Sequence, residues 1–190
     1  MVTRRLPGGQ GELAIWTNGL RVGHWRVHAG QDQLDYDPAW IESPLGRPLS
    51  RSLPFMPGNR PHKGDVVRHF FDNLLPDNDG IRRRLKEKFG TRDVGTFSLL
   101  SAIGRDCVGA VQLLAPDEAP TGWDRIEAQP LDDAGVERMI DQSLASGHAL
   151  GQGDSPDLRI SIAGAQEKTA LLLRDGQWCK PLGATPTTHI

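Results

Sequence analysis

The residues with the most specific chemical potential sit together near one end of the chain. Ser161 is followed by Ile162 and then by Ala163, Gly164, Ala165, Gln166, Glu167 and Lys168. The apolar, β-prone runs 158–162 and 168–173 on either side read as two strands of a hairpin, and Arg174-Asp175-Gly176-Gln177 turns the chain into Trp178-Cys179-Lys180. Small side chains at a hairpin tip let backbone N–H groups approach an anion, where bulk would hold a phosphate away. That is the chemistry of a kinase Gly-rich loop, which covers nucleotide phosphates from between two strands. The segment is not a Walker A motif and lacks the GxGxxG spacing. The local pattern alone favours an ordinary hairpin, with Ser161 a plain strand serine and Lys168 a solvated strand lysine.

Other groupings are weaker. Arg82, Arg83, Arg84, Lys86 and Lys88 cluster on one helical stretch and could attract phosphates or an acidic partner. A solvated helix face, tempered by Asp79 and Glu87, accounts for them more simply. Asp72, Asp77 and Asp79 surround Pro76 and could form a cation site, but capping carboxylates at helix ends explain them at less expense. His24, His28, His62, His69, His148 and His189 form no HxxxH or HExxH grouping, so no metal centre is expected. Cys107 and Cys179 make no CxxC pair, so a disulfide scaffold and a zinc knuckle are both unsupported.

The elements that must position these groups follow from periodicity. Residues 13–16 and 20–25 are apolar runs around Asn18-Gly19, and Asn-Gly is a strong signal for a type I′ hairpin turn. A third strand is expected at 33–36. Trp16, Trp25 and Trp40 are expected to pack within and around this sheet. Residues 43–63 carry Pro44, Pro48, Pro54, Pro57 and Pro61, which excludes a helix and leaves extended segments and turns. Val66, Val67, Phe70, Phe71, Leu74 and Leu75 then form an amphipathic stripe, capped by Asp65 and ended by Pro76. Asp79 is expected to cap a helix over 80–89 closed by Gly90, and Thr96 a helix running to Gly104. Residues 107–114 read as a strand, 115–128 as a connector, and 132–146 as a helix.

Composition sets the frame. With 190 residues, 37% hydrophobic and 24% charged, the chain can bury a core and is not disordered as a whole. No run approaches a membrane span and no apolar leader opens the chain, so a cytoplasmic protein is expected. The net charge of −2 conceals an asymmetry, because residues 1–105 hold 16 cations against 11 anions while 106–190 hold 6 against 13. This suggests two units: a tail at 1–11, an N-terminal module at 12–115, a connector at 116–130 and a second unit at 131–190. The fold class expected is α+β, with an antiparallel hairpin sheet and three short helices in the first unit.

Six blocks in order carry a resemblance: PLSRSLPF (48–55), FFDNLLPDNDGIRRRL (70–85), LLSAIGRDCVGAVQLL (99–114), ISIAGAQEKTALLL (160–173), WCKP (178–181) and TPTTHI (185–190). With them the chain resembles the HipA family, the serine/threonine kinase toxins of bacterial HipBA toxin–antitoxin modules, from Leu13 to Ile190. The resemblance implies an N-terminal module followed by the beginning of a kinase N-lobe with its Gly-rich loop. It implies that Ala163, Gly164, Ala165, Gln166, Glu167 and Lys168 lie at the phosphates of ATP, with Mg²⁺ as the accompanying ion. It implies that Ser161 is the serine such kinases phosphorylate on themselves to expel the loop. The partners implied are a HipB-like helix-turn-helix antitoxin, DNA through that antitoxin, and glutamyl-tRNA synthetase or another tRNA synthetase as substrate.

The match also has a limit. The phosphate-gripping lysine, the catalytic and metal-binding aspartates and the helical lobe of the family have no counterpart among these 190 residues. The chain alone is therefore expected to be catalytically inactive. The alternative is a non-catalytic HipA-like binding module that regulates a separate kinase lobe or an antitoxin.

Overall fold

The structure, a computed structural model, describes residues 11–105, 107, 110–145 and 169–190. It is α+β. Strands β1 (Gly11–Thr17) and β2 (Leu20–His28) form the expected hairpin, and Asn18 (φ 46°) and Gly19 (φ 77°) both take the left-handed conformation a type I′ turn requires. Strand β3 (Gln31–Tyr36) follows through a second turn of the same kind at Ala29 and Gly30. With β4 (His62–Lys63) and β5 (Val111–Leu114) these make an antiparallel sheet in the order β4-β3-β2-β1-β5.

One face of this sheet is the core. Leu13, Ile15, Trp25 and Leu34 point into it from three strands, and α2 (Asp65–Asp72), α3 (Asp79–Phe89) and α4 (Thr96–Ile103) supply Val67, Phe71, Leu85, Leu99 and Leu100 from above. Trp25 is fully buried, stacked on Phe71 at 3.9 Å and met edge-on by Phe97 at 4.9 Å. Stacked and edge-on ring pairs add about 0.5–1.5 kcal/mol each beyond their buried area, which makes this trio the packing centre of the sheet. Trp40 is buried as expected, whereas Trp16 is only half-buried.

Several boundaries differ from the sequence reading, each for a local reason. Helix α2 stops at Asp72, four residues before Pro76, and Leu74 and Leu75 reach the core from the turn beyond it. Its N-cap is Gly64 (φ 78°), so Asp65 occupies the first turn instead. Asn78, not Asp79, caps α3 by accepting from Gly80 N and Ile81 N, and Gly90 closes it at φ 62° as expected. Gly95 precedes α4, because the Thr96 hydroxyl is engaged elsewhere. A short helix α1 (Pro38–Glu42), started by Asp37 with Pro38 in its first turn, escaped the periodicity reading because five residues carry too little pattern.

The second sheet has the order β6-β8-β7, with β6 (Ala128–Pro130), β7 (Leu172–Arg174) and β8 (Gln177–Pro181). Helix α5 (Asp133–Ala145) follows β6. Strand β6 lies inside the stretch read as a connector; its three residues, one of them proline, carry no alternation to betray it. Asp175 (φ 52°) and Gly176 (φ 78°) make the expected turn between β7 and β8. Among the described residues no helix is long and apolar enough to cross a membrane.

Candidate functional site

The residues singled out as a phosphate cradle, Ala163 to Lys168, and Ser161 before them lie outside the described residues, as does the expected strand at 158–162. The described structure supplies the framework that receives the chain directly after them. Ala170, Leu171 and Leu172 are buried, and the strand expected from Lys168 takes regular form as β7 only at Leu172. Leu171 N donates to His189 O at 2.9 Å, and Thr188 N returns a bond to Leu171 O at 3.0 Å. The TPTTHI block thus clamps the chain at Leu171, just ahead of β7.

A second tie holds the sheet from the other side. Thr185, 1% exposed, accepts from Glu127 N at 2.8 Å and donates to Glu127 O at 2.9 Å, while Leu182 N donates to the same carbonyl. One hydroxyl so satisfies both backbone groups of a residue 58 positions away, and buried backbone groups need such partners. The sequence offered no signal for it, since a threonine among four TPTT residues looks like any loop threonine. Trp178 is met edge-on by His189 at 4.9 Å, and Cys179 and Cys107 are both buried and not joined in a disulfide. Among the described residues no three His, Cys, Asp or Glu side chains group to hold a metal ion.

The acidic and basic sets flanking Pro76 resolve into structure. Asp72 accepts from Arg82 Nη1 at 2.8 Å and from the Thr96 hydroxyl at 2.5 Å, joining α2, α3 and α4 at one point. Arg82 also donates Nε to Pro76 O at 2.6 Å. The Arg82 bond, with help from Thr96 and against burial, holds the Asp72 carboxyl below the usual aspartate range. Asp72 therefore acts as a helix tie, with Oδ1 accepting from both Arg82 and Thr96. Of the basic cluster, Arg83, Lys86 and Lys88 are exposed on α3, interleaved with Glu87, which matches a solvated face.

Among the described residues Asp32 is the one carboxylate buried with the core aromatics. It is 8% exposed and accepts from Trp25 Nε1 at 2.8 Å, and burial pushes its carboxyl above the usual range despite that bond. On the opposite sheet face Glu12, Arg26 and Asp35 form a partly exposed ion chain, with Arg26 Nη1 at 2.7 Å from Asp35 and Nε at 3.1 Å from Glu12. Neither arrangement aims a free polar group into a cleft, so both read as structural.

Comparison with known proteins places this architecture. The HipA N-terminal domain family matches residues 13–114. Y4mE of Sinorhizobium fredii, a kinase by name, is 35% identical over 94% of this chain and 42% of its own length. The serine/threonine-protein kinase toxin HipA of Shewanella oneidensis is 30% identical over 94% of this chain and 39% of its own. A solved Shewanella oneidensis complex of HipA, HipB and operator DNA contains a chain that superposes with a TM-score of 0.64 at 25% identity, over 93% of this chain and 39% of that one. The chain thus spans about two fifths of the length of the curated relatives it matches. It belongs to the HipA family and corresponds to its N-terminal portion.

Proposed function

We propose that this chain is the N-terminal part of an ATP-dependent serine/threonine kinase toxin. The observation that carries the proposal is the continuous likeness to two relatives bearing the name kinase, which spans 94% of the chain and so includes the 161–168 segment. Ala163, Gly164, Ala165, Gln166, Glu167 and Lys168 would lie over the nucleotide phosphates, and the clamped strand β7 would hold the trailing end of that loop. ATP with Mg²⁺ supplies the phosphoryl group when bound. The contribution of this chain is positioning: backbone donors at a small-residue turn, carried on a hairpin fixed by Thr185 and Thr188.

Ser161 would be the site of self-phosphorylation. A phosphoserine adds about −1.5 to −2 charges at neutral pH. At the mouth of a phosphate cradle it repels the nucleotide and competes for the same N–H donors, which switches the kinase off. A HipB-like helix-turn-helix antitoxin would neutralise the toxin and bring it to operator DNA, and a tRNA synthetase, glutamyl-tRNA synthetase first among them, would be the target in the cytoplasm.

Phosphoryl transfer depends on metal and cation stabilisation that this portion does not carry. The 190-residue polypeptide, incubated with labelled ATP, Mg²⁺ and a tRNA synthetase, is expected to incorporate no phosphate into itself or the synthetase. Time-dependent incorporation by the purified chain would overturn the division of labour proposed here.

A further inference from the structure

Residues 43–64 contain Arg47, Arg51, Arg60 and Lys63 and not one aspartate or glutamate. It is a local excess of four positive charges in a chain whose net charge is −2. All four side chains are exposed. Elsewhere in the first unit several cations have a carboxylate partner: Asp37 meets Arg21, Glu12 and Asp35 meet Arg26, and Asp72 meets Arg82, while the exposed Arg83, Lys86 and Lys88 of α3 share their helix with Asp79 and Glu87. Among the described residues no carboxylate meets these four.

The segment has almost no regular structure, yet it is fixed, because it is wrapped around one buried side chain. The Tyr36 hydroxyl donates to Leu53 O at 2.7 Å and accepts from Leu49 N at 2.9 Å. Asn59 Nδ2 donates to Tyr36 O at 2.9 Å, and the Phe55 ring meets the Tyr36 ring edge-on at 4.9 Å. Trp40 Nε1 donates to Arg47 O, and His62 Nε2 to Pro54 O. The chain is thus pinned at 49, 53, 55 and 59 around Tyr36 at the end of β3, at 47 by Trp40 and at 54 by His62. Its five prolines limit what conformational freedom is left. Cations carried on a fixed backbone are better placed to bind a polyanion than cations on a mobile loop, since less loop entropy is lost on contact.

We propose that this segment is a phosphate-backbone contact surface for duplex DNA. A protein-docking patch needs an apolar, aromatic centre with charge at the rim. Here the balance is reversed: Tyr36 and Leu53 are buried beneath, Leu45 is the one large apolar side chain of the segment that is exposed, and it stands among four exposed cations with Ser50 and Ser52 hydroxyls between the arginines. Arginine, lysine and serine are the groups that contact phosphates without reading bases. The choice of DNA rests on the proposed place of the longer protein in an operator complex, whereas the phosphate chemistry rests on these residues alone.

The test is fluorescence anisotropy of the 190-residue chain with a short labelled duplex of scrambled sequence, over a range of salt. Neutralising Z phosphates gives a log–log salt slope of about −0.9Z, so four contacts weaken binding on the order of a hundredfold between about 50 and about 200 mM salt. The variant Arg47→Gln/Arg51→Gln/Arg60→Gln/Lys63→Gln should lose most of that slope, and Arg51→Gln/Arg60→Gln about half. Arg83→Gln/Lys86→Gln/Lys88→Gln on α3 should leave it unchanged, and thermal melts verify that each variant is folded. The proposal is overturned if the duplex does not bind, if the α3 variant is the one that loses the slope, or if a polyglutamate peptide binds as well as the duplex. Whether a HipB-like antitoxin binds the longer protein is a separate pull-down, so failure of that reading does not read out as failure of this one.

Discussion

Asp72 and Asp32 are two aspartates that the fold uses in opposite ways. Asp72 ties three helices, and Arg82 holds its carboxyl below the usual range. A depressed folded-state pKa means that the stabilisation is present above the unfolded-state value and is lost as pH falls through the folded one. Asp72→Asn should therefore cost about 1–3 kcal/mol at neutral pH, and the gap between variant and wild type should close at strongly acidic pH, as read from urea midpoints. Asp32 has the reverse sign. Burial raises its carboxyl, so its protonated form is favoured in the folded state and stability declines as pH rises through that raised value. Asp32→Asn keeps an acceptor for Trp25 Nε1 and sheds the buried charge. It should be neutral or stabilising at neutral pH, whereas Asp32→Ala orphans the indole N–H and should cost about 1–3 kcal/mol. A destabilised Asp32→Asn would show that the charge itself is needed.

At the scale of elements, the two hairpin turns of the first sheet offer an internal comparison. Gly19 and Gly30 both sit at φ 77°, but a Cβ at Gly19 would collide with the Trp123 indole while one at Gly30 meets open space. Gly30→Ala should cost only the left-handed backbone strain, about 1–2 kcal/mol. Gly19→Ala should cost more, and pairing it with Trp123→Ala should return the difference. Equal melting temperatures for the two glycine variants would show that Trp123 does not pack on the turn. These turns also illustrate what the sequence makes legible. Asn18-Gly19 announces its hairpin because both residue types accept positive φ, whereas Ala29 gives no such notice and its turn is forced by the pairing of β2 with β3. The three helices packed on the sheet were readable from apolar spacing and from Gly90, but their N-caps were not. Gly64, Asn78 and Gly95 hold the cap positions, each one residue before Asp65, Asp79 and Thr96, which begin the helices. Strands of two or three residues such as β4 and β6 owe their existence to a neighbour, which no local window contains.

At the scale of the molecule, the family was legible from six blocks arriving in order, while the short motif at 161–168 lies outside the described residues. The ties of Thr185 to Glu127 and of Leu171 to Thr188 and His189, which hold the second sheet, were not legible because they act through backbone groups far along the chain. The central claim is that Ser161 gates a nucleotide-phosphate loop within a HipA-type kinase. It can be measured in a chimera in which this chain replaces the aligned N-terminal part of the Shewanella toxin. ATP is titrated by calorimetry into the parent chimera and into its Ser161→Asp and Ser161→Ala forms. Like charges at about 4 Å and an effective dielectric near 20 repel by roughly 4 kcal/mol, and half of that weakens affinity about thirtyfold. The account predicts a loss of that order for Ser161→Asp with binding retained by Ser161→Ala. Equal ATP affinity in the parent and the Ser161→Asp form would contradict it.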